Sequence, residues 1–241
     1  MLVTGGAGYL GSEVARQAVA AGHDVVATQL RRPAPFGRAI TVDLRDGIDV
    51  EDADVVIHTA YVQADPDMIV RSTRNVAQAA ARAGARLIHL STDLVFDGER
   101  GAPYREEDEA RPVSAYGQAK LEAEGLVDGL VVRTSLLYGK AEPGPQERLA
   151  LDPGATFYED EIRCPTRVDE LASALLELTA MELKGVLHVA GPEALSRLEF
   201  ARRLGAVDPR GEPAPPGRAR NVALDSSRAA SLLAAGLTGT G

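Results

Sequence analysis

Short apolar runs alternate with stretches of helical period through the first half of the chain. Met1-Leu2-Val3 reads as a buried strand, followed by a glycine-rich turn and then by Ser12 to Ala21 at helical spacing. Asp24 to Ala27, Ala39 to Val42, Asp54 to His58, Arg86 to Leu90 and Leu130 to Arg133 read as further strands. Val70 to Ala83, closed by Gly84, and Ala115 to Glu124 read as helices. Continuously apolar strands separated by helices mean a parallel sheet covered on both faces. The expected fold class is therefore α/β, a doubly wound parallel sheet of the Rossmann type.

The second half is less regular. Lys140 to Gly154 reads as loop, Val168 to Met181 as helix, Val186 to Ala190 as a strand and Leu195 to Leu204 as helix. Gly205 to Gly217, with its prolines and glycines, reads as linker, and the tail from Gly236 as disordered. The expected division is a parallel-sheet core over residues 1–139 and a mixed segment over 140–241. The latter is mainly a small separate part, with helix 168–181 returning to the core.

The turn Thr4-Gly5-Gly6-Ala7-Gly8-Tyr9-Leu10-Gly11 follows a strand and opens a helix. A dinucleotide site needs that arrangement: a tight turn, close backbone approach to a pyrophosphate and a helix N-terminus aimed at the anion. Gly5, Gly8, Tyr9, Leu10 and Gly11 are the expected contacts. An enzyme that takes NAD usually ends its second strand in a carboxylate that holds the ribose hydroxyls. This chain has Gln29-Leu30-Arg31-Arg32 there, and a guanidinium suits a phosphate. NADP is the expected cofactor, with Arg31 and Arg32 on its extra phosphate and NAD left open. Asp43-Leu44, ending the third strand, would border the adenine.

Tyr116 and Lys120 stand four residues apart on one helix, hence on one face. A phenol titrating near 10 is a poor acid at neutral pH, and a neighbouring cation favours the phenolate. Ser91-Thr92-Asp93 lies just past the fifth strand, and the carboxyl ends of strands in this architecture face the ligand. Thr92 is thereby placed to hydrogen-bond the carbonyl that Tyr116 protonates.

With these residues in view, the chain resembles the extended short-chain dehydrogenases/reductases, and among them the dTDP-4-dehydrorhamnose reductase family. The resemblance runs through Thr4 to Gly11, Ser91 to Gly98, Tyr116 to Lys120, Arg133 to Gly139, Arg163 to Thr166, Val186 to Phe200 and Asn221 to Ser226. It implies Thr92, Tyr116 and Lys120 as the catalytic residues. It places Thr59, Ala60 and Tyr61 beside the nicotinamide, and Asp93, Arg163 and Pro165 on the substrate side, where Arg163 would hold a diphosphate. It further implies reduction of a keto group on a nucleotide-activated sugar, and a homodimer formed through the helix at Val70 to Ala83 and the helix of Tyr116. The chain departs from the family in three ways. Leu136 stands where the family has Trp, Ile69 stands where it has Asn, and the segment between Gly139 and Phe157 is short.

Composition narrows the field. Of 241 residues, 26 are Lys or Arg and 35 Asp or Glu, a net charge of −9 that leaves no basic footprint for nucleic acid or an anionic membrane. No apolar stretch approaches the roughly 20 residues of a membrane span, and the polar N-terminus is no secretory signal, so a cytoplasmic protein is expected. The one cysteine, Cys164, forms no internal disulfide and has no partner histidine, and no Cys/His spacing suggests a metal. His58 and His89 read as core histidines. Leu94 stands where a sugar-nucleotide dehydratase needs Glu, which argues against elimination. Two alternatives stay open: an epimerase of the same superfamily, and a non-catalytic cofactor-binding regulator like the regulatory subunit of methionine adenosyltransferase.

Overall fold

The computed structural model describes residues 1–50, 52–140 and 142–240. In chain order the elements are β1 (Leu2–Thr4), α1 (Tyr9–Ala20), β2 (Val26–Gln29), β3 (Arg38–Thr41), β4 (Val55–His58), α2 (Pro66–Ala83) and β5 (Arg86–Thr92). After a 3₁₀ turn at Asp93–Val95 come α3 (Ala115–Glu124), β6 (Leu130–Thr134), β7 (Leu137–Tyr138), α4 (Pro145–Ala150), β8 (Thr156–Tyr158), β9 (Ile162–Arg163) and β10 (Thr166–Arg167). The chain then forms α5 (Val168–Leu178), β11 (Gly185–His188), β12 (Leu195–Ser196), α6 (Arg197–Arg203), β13 (Arg210–Glu212) and α7 (Ser227–Leu232).

Seven strands form one sheet in the order β11-β6-β5-β4-β1-β2-β3. The pairs β1–β2, β2–β3, β1–β4 and β4–β5 are parallel. The chain winds outward from β1 to β3, then returns to place β4 on the other side of β1. That reversal puts the switch point of the doubly wound topology at the carboxyl end of β1, where the glycine turn begins.

The chain forms two compact units. The first comprises residues 1–91, 119–132 and 172–186. Its strands β1 and β4 are buried throughout, and Leu2, Leu44, Val56, Val76, Ala79, Ala80 and Leu87 share one core cluster. Helix α2 begins a turn earlier than its apolar period suggests. The Asp65 carboxylate accepts from the Met68 amide at 3.0 Å and Pro66 stands in the first turn, a capping signature that carries no apolar period for a hydrophobicity reading to find. Gly84, at φ +66, closes the helix as expected. The small residues of α2 serve this core: Ala79 and Ala80 are 2% and 1% exposed.

The second unit comprises residues 92–118, 133–171 and 187–240 of the described chain. Three expectations are corrected here. The stretch read as loop from Lys140 contains α4, too short to show an apolar period but started by Gly144 and Pro145. The Gly205–Gly217 segment contains β13, which pairs in parallel with β8; its Arg-Gly-Glu sequence carries no apolar signal. The tail is tied down rather than loose: the Thr238 amide donates to Glu170 at 2.8 Å and the Thr240 amide to Glu193 at 2.6 Å. Gly241 lies outside the described residues. No helix among the described residues is long and apolar enough to cross a membrane.

Candidate active site

The glycine turn is held by its own backbone. The Gly5 amide, at a residue with φ +70, donates to Thr28 Oγ1 at 2.9 Å, the Gly6 amide to the Thr28 carbonyl at 2.9 Å and the Gly8 amide to the Gly5 carbonyl at 2.7 Å. Thr59 Oγ1 donates to the Thr4 carbonyl at 2.7 Å, lacing the end of β4 to the end of β1. A Cβ on Gly11 would lie 2.2 Å from the Gly5 carbonyl oxygen and 2.7 Å from Thr59 Oγ1, so close packing of the chain itself demands glycine there. Gly8 is extended (φ −81, ψ 171) at the N-cap of α1, and no side chain caps that end. Tyr9 and Leu10 form the first turn of the helix. This bare, positively polarised terminus fits the pyrophosphate of a dinucleotide.

At the end of β2, Gln29 is occupied: its Nε2 donates to Thr41 Oγ1 and its Oε1 accepts from the Ala34 amide, each at 2.9 Å. Arg31 and Arg32 are exposed, and neither makes an ion pair or side-chain hydrogen bond among the described residues. Asp43 is clamped by Arg45 at 2.6 Å, which holds its carboxyl down at about 2. Leu44 points into the core, and its carbonyl accepts from Asn75 Nδ2 at 2.8 Å.

Lys120 is buried at 4% exposure. Its Nζ donates to the Leu90 carbonyl at 2.5 Å, faces His89 Nε2 at 3.5 Å and lies 5.6 Å from the ring centre of half-exposed Tyr61. Burial pulls its pKa down to about 8, with the Glu124 carboxylate opposing. Glu124, one turn further along α3, accepts from Ser91 Oγ. His58 bridges Thr4 Oγ1 at 2.7 Å and Thr73 Oγ1 at 3.1 Å, and burial brings it down to about 3, with Lys120 adding to the shift. His89 is pushed well below its ordinary value by burial first and Lys120 next. Both are neutral core histidines, as their positions in strands suggested. Ala60 and Thr59 stand close to Gly5, whose Cβ would be 3.0 Å from each.

In the second unit, β5 runs on to Thr92, so that Thr92 and Asp93 sit at the strand end and in the 3₁₀ turn after it. Gly117 lets α3 lie against that turn, because a Cβ there would be 2.2 Å from the Leu94 carbonyl oxygen. Tyr116, half-buried, is the residue before it, and Lys120 follows one turn later. Asp93 is wholly buried and accepts from Thr92 Oγ1 at 3.1 Å, from Ser135 Oγ at 2.5 Å and from Arg163 Nε at 2.6 Å, with Arg163 Nη2 completing a bidentate pair. Arg163 Nη1 reaches Glu161 Oε1 at 3.4 Å, and Arg218 grips the other oxygen of Glu161 at 2.6 Å. Glu161 is 2% and Arg163 5% exposed, so this ion pair is a buried one. Arg197, packed near the same cations, is brought down to about 10 by burial first and Arg163 next. Pro165 is buried, with its carbonyl so close beneath Gly191 that a Cβ there would lie 1.9 Å away.

Sequence reasoning assigned no role to Ser135 or Glu124. Ser135 immediately follows the last residue of β6, a position that signals a ligand-side role in this topology. Glu124 stands eight residues after Tyr116, on the same helical face. Cys164 is buried and its thiol is pushed up to about 11 by that burial, so it is inert as read. Among the described residues no group of three or more His, Cys, Asp or Glu is placed to hold a metal.

Residues 1–212 match the family described as RmlD substrate binding domain. A dTDP-4-dehydrorhamnose reductase of Mycobacterium tuberculosis is 34% identical over 84% of this chain and 73% of its own length. Methionine adenosyltransferase 2 subunit beta of Bos taurus is 30% identical over 83% of this chain and 70% of its own. Among solved structures, a hypothetical dTDP-4-dehydrorhamnose reductase from Sulfolobus tokodaii superposes with a TM-score of 0.85 at 29% identity, covering 98% of this chain and 96% of its own. The glycine cradle, the Tyr116/Lys120 helix and these likenesses agree: the chain belongs to the RmlD substrate binding domain family, among the NAD(P)-dependent oxidoreductases of the extended short-chain type.

Proposed function

We propose that the protein reduces a keto group on a nucleotide-activated sugar and prefers NADP, with NAD as its weaker cofactor. The carrying observation is the buried ammonium of Lys120 one helical turn after Tyr116, on an enzyme whose glycine turn fits a dinucleotide. The bound dihydronicotinamide supplies a hydride donor. Gly5, Gly8, Tyr9, Leu10 and Gly11 would hold its pyrophosphate, Arg31 and Arg32 its 2′-phosphate, and Asp43 and the main chain of Leu44 would border the adenine. Thr59, Ala60 and Tyr61 flank the nicotinamide.

Lys120 binds the nicotinamide ribose and draws down the phenol of Tyr116, which gives its proton to the keto oxygen. Thr92 orients that oxygen. Asp93, Arg163 and Pro165 stand on the substrate side. In this reading residues 1–139 supply the cofactor side and residues 140–241 mainly the substrate side, and the protein works in the cytoplasm as a homodimer without nucleic-acid or membrane partners.

NADPH oxidation against a panel of nucleotide 4-keto sugars tests the reading. Turnover with at least one member is expected, and Tyr116→Phe should lower kcat by a factor of about 10²–10⁴ with cofactor affinity kept. Cofactor binding without turnover of any member would move the protein to the regulatory class that its likeness to the methionine adenosyltransferase subunit represents.

A further inference from the structure

Asp93 and Arg163 fill each other. Arg163 is 5% exposed, and its Nε and Nη2 form a bidentate pair with the two oxygens of Asp93 while Nη1 faces Glu161. A diphosphate could take this guanidinium only by stripping it from a buried carboxylate, which would leave that charge unmatched at high cost. The geometry therefore favours a role turned inward, toward Thr92.

The Thr92 hydroxyl has one proton and two lone pairs. One lone pair accepts from the Leu94 amide at 3.2 Å, and the proton points at Asp93 Oδ1 at 3.1 Å. To orient a keto oxygen, Thr92 must turn that proton away from Asp93. A bare buried carboxylate would hold it in a short, charge-assisted bond. Here the carboxylate shares its charge with a guanidinium and with Ser135, and the Thr92 bond is long for an O–H···O contact.

We propose that Arg163 is a positioning residue: by neutralising Asp93 it keeps the Thr92 proton free to swing onto the substrate's keto oxygen. The inference rests on the reductase reading and deepens it. Ser135 assists by occupying Oδ2 of the same carboxylate, and its oxygen is fixed in turn by the Cys164 amide at 3.1 Å.

The test compares wild type, Arg163→Met, Asp93→Asn and the double variant by steady-state reduction at saturating NADPH, by titration with thymidine diphosphate and by thermal melting. Arg163→Met should lose about ten- to a hundredfold in kcat, with KM and thymidine diphosphate affinity within about threefold of wild type, since one charge-assisted hydrogen bond is at stake. Adding Asp93→Asn removes the charge that captures Thr92 and should recover most of the lost kcat, which simple loss of structure does not predict.

If Arg163→Met fails to fold, the charge-balanced double variant decides alone: kcat within about tenfold of wild type supports the role, and a loss beyond a hundredfold overturns it. A tenfold or greater loss of thymidine diphosphate affinity in Arg163→Met, with kcat intact and no rescue, returns Arg163 to the diphosphate. An inactive wild type sinks the reductase reading and this inference together; an active wild type whose Arg163→Met keeps its kcat sinks the inference alone.

Discussion

Nζ of Lys120 lies 3.5 Å from Nε2 of His89, both buried, with the Leu90 carbonyl accepting from the ammonium at 2.5 Å. A neutral imidazole is the only form of His89 compatible with that cation, and the low pKa of His89 agrees. Lys120 in turn titrates at about 8, within reach of ordinary assay conditions.

Under the proposed mechanism, activity should therefore fall as pH rises through about 8, where Lys120 loses its positive charge. A pH profile of kcat for reduction checks this, and a limb that begins only near the ordinary lysine value would show that burial does not control the group.

Stability should fall on acidification from another cause. His58 titrates near 6.5 in the unfolded chain but at about 3 in the folded one. Between those values the unfolded chain binds a proton that the folded chain refuses, so stability declines as pH drops from 6.5 toward 3. The denaturation midpoint should slope downward below pH 6.5, and His58→Gln, which keeps polar reach toward Thr4 and Thr73, should flatten the slope. An unchanged slope would remove His58 from the acid response.

Two glycines of the same turn should respond differently to alanine. At Gly11 the new methyl would meet the Gly5 carbonyl at 2.2 Å, so Gly11→Ala should destabilise the fold by about 1–3 kcal/mol through overpacking. At Gly8 the nearest atom is 3.0 Å away, and Gly8→Ala should melt within a few degrees of wild type yet bind cofactor more weakly, because the methyl would intrude on the approach proposed for the pyrophosphate. Thermal melts paired with cofactor titrations separate packing from binding.

Arg31 and Arg32 are exposed with no side-chain partner among the described residues, so their guanidiniums are at liberty to meet a phosphate. One such bond contributes about 1.5–3 kcal/mol, roughly ten- to a hundredfold in affinity. NADPH should bind tighter than NADH by that factor, and the gap should close in Arg31→Ala/Arg32→Ala. Fluorescence titration of both cofactors into both proteins is the measurement, and equal affinities in the wild type would make the two arginines plain surface charge.

Light scattering at micromolar concentration tests the homodimer. The small residues of α2 lend it little, since Ala79 and Ala80 are buried in the protein's own core. A monomer mass would end the dimer reading.

The alternation of apolar strands with helices, the glycine turn and the four-residue step from Tyr116 to Lys120 were legible without coordinates, because each is a local pattern: a period, a backbone conformation or a helical face repeats within one element. The ends of elements were less so. The start of α2 at Pro66 is marked by a cap rather than by an apolar period, and β13 and α4 are too short to carry one. What the chain order could not express is which side chains consume one another. Asp93 and Arg163 stand 70 positions apart, and motif matching places both toward a substrate; only the folded chain brings them into a buried bidentate pair and points the Thr92 hydroxyl at Asp93. Likewise His89 and Lys120, 31 residues apart, acquire their lowered pKa values from the burial they share. Local periodicity is written in neighbouring residues, whereas the partner of a buried charge is set by which distant groups the packing leaves within reach of it.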